Sequence, residues 1–322
     1  MSGWADDALL SGYHTRTIPL PDEPTYALEP EGSLSATLIR RGEPTHRRAV
    51  LYIHGWSDYF FQTHAADAFH EAGYDFHAIE LRRYGRSLRT GQLAGFVAEI
   101  EHYAVELDAA VAILSEQGYA SIVLAGHSTG GLVAALYANK RPGTFGALAL
   151  NSPWIEFQGS PITRPAAHPL MRAVSRVSPT TPLPLVDNGH YLRAISKEFG
   201  GEWEFDRNLK GDPAFRVRVG WLRAIMQGQA RIARGLDIDV PILVVTATRS
   251  AMGILGPAWT DEYRELDSVL DVRRIAERAH DLGRHVTLVR IPGALHDVTL
   301  SAPPVRAQVF EELRRFLRAY AV

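Results

Sequence analysis

The stretch SIVLAGHSTGGLVAAL, residues 121–136, constrains this chain more than any other. A short apolar run ends in Gly126-His127-Ser128-Thr129-Gly130, and an Ala/Leu/Val-rich helical pattern follows at once. That is a strand, a sharp turn and a helix. Glycines two residues either side of the serine let strand and helix pass closely, and the turn forces Ser128 into a strained conformation with an exposed hydroxyl. The motif reads as a nucleophile elbow. The competing reading is a serine that merely caps a helix in an ordinary strand-to-helix turn.

Around this stretch, apolar runs alternate with helical patterns. Residues 34–40 and 48–54 read as strands, the second a continuous apolar run of the kind a sheet covered on both faces needs. Residues 59–72 have helical spacing and stop at Gly73, and 75–81 form the next core strand. Phe96, Ile100, Tyr103, Leu107, Val111 and Leu114 recur at steps of three and four, which predicts a helix within 95–117. Residues 121–125 and 146–150 are further strands, 241–247 and 285–291 complete the set, and 304–320 close the chain as an amphipathic helix. Strands alternating with helices predict a mostly parallel sheet.

The alternation breaks between Ile155 and Asp239. Pro161, Pro165, Pro169, Pro179, Pro182 and Pro184 interrupt the first half, and a helical segment over 214–234 fills the second. The division expected is a core of residues 1–154 and 240–322 with an inserted lid, or cap, over 155–239. Trp203 and Trp221 lie in that insertion, where packing onto the core and contact with substrate are equally open readings.

Composition narrows the function. The net charge of −2 supplies no basic field for a nucleic-acid backbone or an anionic lipid surface, so nucleic acid is not an expected partner. The chain has no cysteine, which excludes disulfides, thiolate metal sites and a cysteine nucleophile together. No apolar run approaches membrane-spanning length, and the amino terminus lacks a basic stretch followed by a long apolar one. A cytoplasmic protein without stable membrane insertion is expected. No His-x-x-x-His pair or G-x-x-x-x-G-K loop is present, so neither a metal nor a cofactor is expected.

A serine hydroxyl is a poor nucleophile near neutrality and needs an imidazole to take its proton and a carboxylate to orient that imidazole. After the last strand the chain reads Ile291-Pro292-Gly293-Ala294-Leu295-His296-Asp297. That loop lies past a strand's carboxyl end, where open α/β sheets build their sites, and makes His296 the candidate base. His285, at the start of the same strand, falls at the far end of the sheet. For the oxyanion, Thr129 supplies one amide and the His54-Gly55-Trp56 turn supplies Trp56 as the second. His54 itself reads as a turn residue bonding its own loop.

The elbow GHSTGG, the HGW turn and the PGALHD loop together resemble serine esterases of the α/β-hydrolase superfamily, and most closely the monoacylglycerol lipase and lysophospholipase-like members of the serine aminopeptidase S33 type. The likeness extends from about Leu34 to the carboxyl terminus. It implies the α/β-hydrolase fold, with a mostly parallel eight-stranded sheet flanked by helices and a lid. It also implies cleavage of a small-molecule acyl ester through an acyl-enzyme. Amidase, peptidase or acyltransferase activity, or a retained fold used only for binding, are the alternatives. The segment Glu80-Leu81-Arg82-Arg83-Tyr84-Gly85-Arg86-Ser87 looks like the family's D-L-R-G-H-G-x-S loop but departs from it at Glu80 and Arg83.

A second departure concerns the acid. The family places an aspartate a few residues after the strand matched by 241–247, yet here Thr246-Ala247-Thr248-Arg249-Ser250 holds no carboxylate. Downstream, Asp267-Ser268-Val269-Leu270-Asp271-Val272 looks like the family's D-x-V-V-P-V before a helix, displaced by a longer loop. Asp267 is the acid this implies, ahead of Asp271, which is placed to cap the helix, and Asp261. Met252, Ile254, Leu255 and Trp259 in the longer loop would add apolar surface for an acyl chain. Asp58 matches an acidic position that in monoacylglycerol lipases lies near the substrate's polar head, with a helix N-cap as the competing reading.

Overall fold

The computed structural model describes residues 3–26, 29–157, 177–184, 188–251 and 258–321. Pro161, Pro165, Pro169, Met252, Ile254 and Leu255 lie outside the described residues.

The strands are β1 (Ala5–Asp6), β2 (Tyr13–Pro19), β3 (Ser35–Arg41), β4 (Arg48–Ile53), β5 (Asp75–Glu80), β6 (Ser121–His127), β7 (Ala147–Asn151), β8 (Ile242–Ala247) and β9 (Val286–Ile291). They form one nine-stranded sheet in the order β1-β2-β3-β5-β4-β6-β7-β8-β9. From β5 to β9 every neighbouring pair is parallel, whereas β1, β2 and β3 extend the β5 edge as an antiparallel flank. Strand order reverses about β4: its sequence successor β5 lies on one side and β6 on the other. The crevice past the carboxyl ends of β4 and β6 is therefore the position where a fold of this class gathers a site.

The interior strands are buried on both faces, and their alternating side chains divide into two cores. On β6, Ile122 and Leu124 join Leu107, Leu114 and Leu132 from helices α2 (Tyr103–Glu116) and α3 (Thr129–Asn139). Val123 and Ala125 face the other way, toward Phe69 of α1 (Thr63–Glu71) and Leu313 and Phe316 of α8 (Pro303–Tyr320).

Between β7 and β8 the described helices are α4 (His190–Ile195), α5 (Arg207–Lys210) and α6 (Val219–Ile232), and α7 (Val272–Arg278) follows β8. The segment between β7 and β8 is tied through backbone groups to the turns after β4 and β9. The Ser57 hydroxyl donates to the Lys210 carbonyl at 3.0 Å and accepts from the Phe215 amide at 3.0 Å, and the Trp203 indole donates to the Leu300 carbonyl at 2.7 Å.

Two helices start later than their apolar spacing predicts. Over 59–62 the chain is committed elsewhere: the Phe60 amide donates to Glu80 at 3.0 Å and the Tyr59 hydroxyl accepts from the Asp206 amide at 2.8 Å. The helix begins only at Thr63, so Asp58 is not its cap. Farther on, Gly95 takes a left-handed φ of 68°, and a side chain there would come within 2.7 Å of the Trp56 ring. A short 3-10 turn, Ile100–His102, intervenes before α2.

The β6–α3 junction holds the tightest backbone approaches. A Cβ on Gly130 would lie 2.3 Å from the carbonyl oxygens of Ile53 and His54, and one on Gly126 would lie 2.5 Å from the Gly130 carbonyl oxygen. Because these neighbours are main chain, they cannot swing aside. Gly130→Ala is expected to destabilise the fold by about 3 kcal/mol, the upper end of ordinary overpacking costs. Urea unfolding of the variant checks this, and an unchanged midpoint would contradict the packing described.

Candidate active site

Ser128 stands between β6 and α3 with φ 52° and ψ −116°, a conformation costly for any residue bearing a Cβ. Its amide donates to the Asn151 carbonyl at 3.0 Å and its carbonyl accepts from the Trp154 amide at 2.9 Å, so the turn is fixed from the end of β7. The strain is not isolated. Ser57, Arg83 and Ser152 also have positive φ, and each lies just past the carboxyl end of a parallel strand.

His296, in the turn after β9, is 3% exposed. Its ring centroid lies 4.8 Å from that of His127, the residue before Ser128, which places the imidazole at the elbow. Its Nδ1 is 2.8 Å from Oδ2 of Asp267, a fully buried carboxylate. The other Asp267 oxygen accepts from the amides of Val269 and Leu270 at 2.8 and 2.7 Å. Asp267 therefore meets His296 with its own orientation locked.

The position of Asp267 answers the missing carboxylate after β8. The chain leaves β8, makes an excursion and returns alongside its own start: the Asp267 amide donates to the Arg249 carbonyl and the Ala251 amide to the Asp267 carbonyl, both at 3.0 Å. This pinch returns residue 267 to where residue 250 stands. Asp271 instead caps α7 through the Arg273 amide, and Asp261 is exposed beside Arg264. Of the three aspartates, Asp267 is the one brought to His296.

The turn after β4 lies directly on the elbow, since a Cβ at Gly55 would sit 3.3 Å from that of Ser128. Among the described residues no acceptor is paired with the Trp56 amide, and Thr129 occupies the first helical position, where an amide has no intrahelical acceptor. His54 bonds its own loop: Nδ1 meets the Gly55 carbonyl at 2.8 Å and Nε2 accepts the Leu81 amide at 3.1 Å. Burial pushes its pKa down to about 4 against a smaller opposing effect of the Gly55 bond, so the ring is neutral and fixes the turn. Burial lowers His127 as well.

Two walls flank the elbow. On one, the Trp56 ring lies 3.7 Å from Trp221 and 6.1 Å from Phe215, with Trp154 5.9 Å from Trp221, making an aromatic, apolar cluster in which Trp221 is packed into the core. On the other, Asp58 forms a buried ion pair with Lys210 of α5, Oδ1 to Nζ 2.6 Å, and the Tyr191 ring of α4 meets His296 edge-on at 5.5 Å. Sequence reasoning finds Asp58 but misses Lys210 and Tyr191, which lie between β7 and β8 on short helices that carry no motif.

It also misses the support under His296. The buried Asp297 carboxylate accepts from Asn151 at 2.7 Å, from the Thr299 amide and hydroxyl at 3.0 and 2.6 Å, and from Gln62 at 3.2 Å. These bonds tie the base-bearing turn to β7 and to the start of α1. The signal was present as the His-Asp pair of the PGALHD loop. A third group, His46, His70 and Asp75, brings ligand-type atoms within 4.8 Å of one another at the opposite, amino-terminal end of β5. There Asp75 anchors the loop before β4 by accepting from the Thr45 and His46 amides and the Thr45 and Tyr119 hydroxyls.

A nine-stranded, mostly parallel sheet with a serine elbow past β6, an aspartate-paired histidine past β9 and, among the described residues, an unpaired Trp56 amide past β4 defines an α/β-hydrolase. The sequence profile of the family described as serine aminopeptidase, S33, matches residues 44–301, and the chain belongs to that family. Its fold is similar to that of a soluble variant of monoglyceride lipase from Saccharomyces cerevisiae in complex with a substrate analogue, with a TM-score of 0.63, 16% identity and 95% of this chain and 96% of that one covered. A monoacylglycerol lipase from Paleococcus ferrophilus gives a TM-score of 0.59 at 16% identity, covering 95% and 98%. A thermostable carboxyl esterase from Bacillus coagulans in complex with glycerol gives 0.61 at 14% identity, covering 96% and 99%. Among the described residues no helix is long and apolar enough to cross a membrane.

For Asp297, burial alone would raise the pKa, but His127 and the bonds from Thr299 and Asn151 outweigh it and hold it at about 2, against 3.8 for a free aspartate. A depressed carboxylate contributes stability that is complete above the unfolded value and is lost as pH falls through the folded one. Asp297→Asn should therefore cost about 2 kcal/mol at pH 7, with the difference from wild type closing between about pH 4 and pH 2. Urea unfolding across that range tests it, and a difference independent of pH would contradict the ionic role.

Proposed function

We propose that this protein is a serine hydrolase that cleaves small carboxylic esters through an acyl-enzyme, with Ser128, His296 and Asp267 as its triad. The observation that carries this reading is the 2.8 Å contact between His296 and a fully buried Asp267, beside a serine held at φ 52°. Asp267 accepts a hydrogen bond from Nδ1–H, which keeps that proton on Nδ1 and leaves the outer ring nitrogen as the base for Ser128. The deprotonated Oγ attacks the ester carbonyl, and the oxygen that gains negative charge is received by the Trp56 and Thr129 amides. Collapse expels the alcohol with the proton His296 had taken, and a water activated by the same imidazole then releases the acid and restores the serine.

Residues 155–239 act in this reading as a lid over the core of 1–154 and 240–322, and the substrate is a monoacylglycerol, a lysophospholipid or another small acyl ester. The aromatic wall of Trp56, Trp154, Trp221 and Phe215 suits an acyl chain. The fold relatives that bind a substrate analogue or glycerol agree with an ester at this position. An aminopeptidase would hold the free ammonium of its substrate with a carboxylate beside the elbow. Here Asp58 is held by Lys210, Asp267 by His296, and Asp297 by Asn151, Thr299 and Gln62, which favours esters over peptides with a free amino terminus.

With 4-nitrophenyl esters, Ser128→Ala should lower kcat by about 10⁴-fold or more and abolish labelling by a fluorophosphonate probe. Asp267→Asn should lower kcat by about 10⁴-fold through the wrong imidazole tautomer. Asp271→Asn, which removes only a helix cap, should stay within about threefold of wild type as long as α7 remains folded. A folded wild type that is neither labelled nor active would instead favour a binding protein on a retained fold.

A further inference from the structure

The wall formed by Asp58, Lys210 and Tyr191 has more donors than the protein uses. Lys210 is 5% exposed, and its ammonium has a single hydrogen-bonding partner among the described residues, Asp58 at 2.6 Å. Its other neighbours are ring faces: Phe61 at 4.9 Å, Phe205 at 5.5 Å and Tyr191 at 5.8 Å from the nitrogen. An ammonium carries three N–H donors, and rings attract the charge without accepting two more hydrogen bonds. A buried cation with one carboxylate is under-satisfied, and oxygens brought by a ligand relieve that cost. The Tyr191 hydroxyl is likewise buried without a partner among the described residues. Burial pushes its pKa far up, with Asp297 and Asp58 adding to the effect, so it remains a donor.

The position of this wall follows from the chemistry. Whatever leaves the tetrahedral intermediate takes its proton from His296, so the leaving alcohol lies against the neighbours of that imidazole. Tyr191 is one of them, edge-on at 5.5 Å, and Lys210 lies against Tyr191.

We propose that Lys210 is a specificity-determining residue that, with Tyr191, donates hydrogen bonds to oxygens on the leaving alcohol and so selects hydroxylated alcohols over plain alkyl ones. The inference rests on the ester-hydrolase reading above and adds the class of alcohol. Lys210 is suited to such a role because its backbone is anchored independently of its charge. The Ser57 hydroxyl holds the Lys210 and Gly211 carbonyls, and Gly211 approaches too closely for a Cβ, which would lie 2.3 Å from that hydroxyl.

The test uses two esters of one acyl chain, the length being that best turned over as a 4-nitrophenyl ester: the 1-monoacylglycerol and the propyl ester. Wild type should prefer the glyceryl ester in kcat/KM, and Lys210→Met should lower the glyceryl-to-propyl ratio by about tenfold or more, with Tyr191→Phe acting in the same sense. Because Lys210→Met leaves Asp58 buried and unpaired, Asp58→Asn with Lys210→Met is measured beside it, and the same fall in ratio is expected there. Equal losses on both esters, a ratio unchanged in the double variant, or a wild type indifferent to the alcohol would overturn the role of Lys210 while Ser128 still labels. A wild type that hydrolyses neither ester and leaves Ser128 unlabelled would overturn the hydrolase reading and this inference together.

Discussion

The site depends on one steric fact, that β6 and α3 are closer than any side chain allows. Gly130 lies against the carbonyls that end β4, and Gly126 against the first turn of the helix. This closeness bends the chain sharply enough to hold Ser128 at φ 52°. It also sets the turn after β4 on the serine, where the Trp56 amide is available to a developing charge. The strain is offset by bonds from the neighbouring strand: the end of β7 binds the Ser128 amide, and Asn151 there also binds Asp297 below the histidine. Ser128 and His296 are thus referred to one strand end, although 168 positions separate residues 128 and 296.

Around this centre the protein spends charge where an apolar core would also have been stable. Arg82 pairs with Glu106 and Glu23, Arg83 with Glu29, and Arg86 with Glu80 and Asp7, all in or beside the loop after β5. Buried pairs of this kind contribute little net stability but penalise any arrangement that separates them. The effect is to fasten the amino-terminal segment, which carries Asp7, Glu23 and Glu29, to the loop beneath the oxyanion turn. The departures at Glu80 and Arg83 gain a physical account here: Glu80 receives the Phe60 and Arg86 amides, and Arg83 reaches across to Glu29 from a left-handed φ of 65°.

Much of this was legible in the sequence because two periodicities carry it. The apolar runs of β4, β6 and β8 and the stripe of α2 state a parallel sheet between helices, and the elbow states where the site lies. Of the antiparallel flank only β3 was legible; β1 and β2 were not. Tyr13–Pro19 buries little beyond Tyr13 and Ile18, so its pattern is that of an ordinary polar segment, and β1 has two residues and no pattern at all. The placement of Asp267 beside His296 was legible only through resemblance, since hydrogen bonding between Asp267 and residues 249–251 is a tertiary pinch that no local propensity records. Lys210 and Tyr191 left no signal because each matters through a partner on another element, Asp58 past β4 and His296 past β9.

The displaced acid also bears on how such a site tolerates change. What the imidazole needs is a carboxylate oxygen 2.8 Å from Nδ1 with its second oxygen held, and two backbone amides at Val269 and Leu270 hold it. Nothing in that requirement specifies how many residues lie between β8 and the aspartate. A loop closed at its base by two main-chain hydrogen bonds can lengthen at its tip at small entropic cost, because closure entropy grows only slowly with length. The tip can then take on other work while the pinch preserves the chemistry. Trp259, stacked on Tyr263 and packed against Arg193 and Arg264 next to α4, has done so: it joins the excursion to the helix that carries Tyr191. The loop that ends in Asp267 and the segment between β7 and β8 are thereby in direct contact, through Trp259 and Arg193.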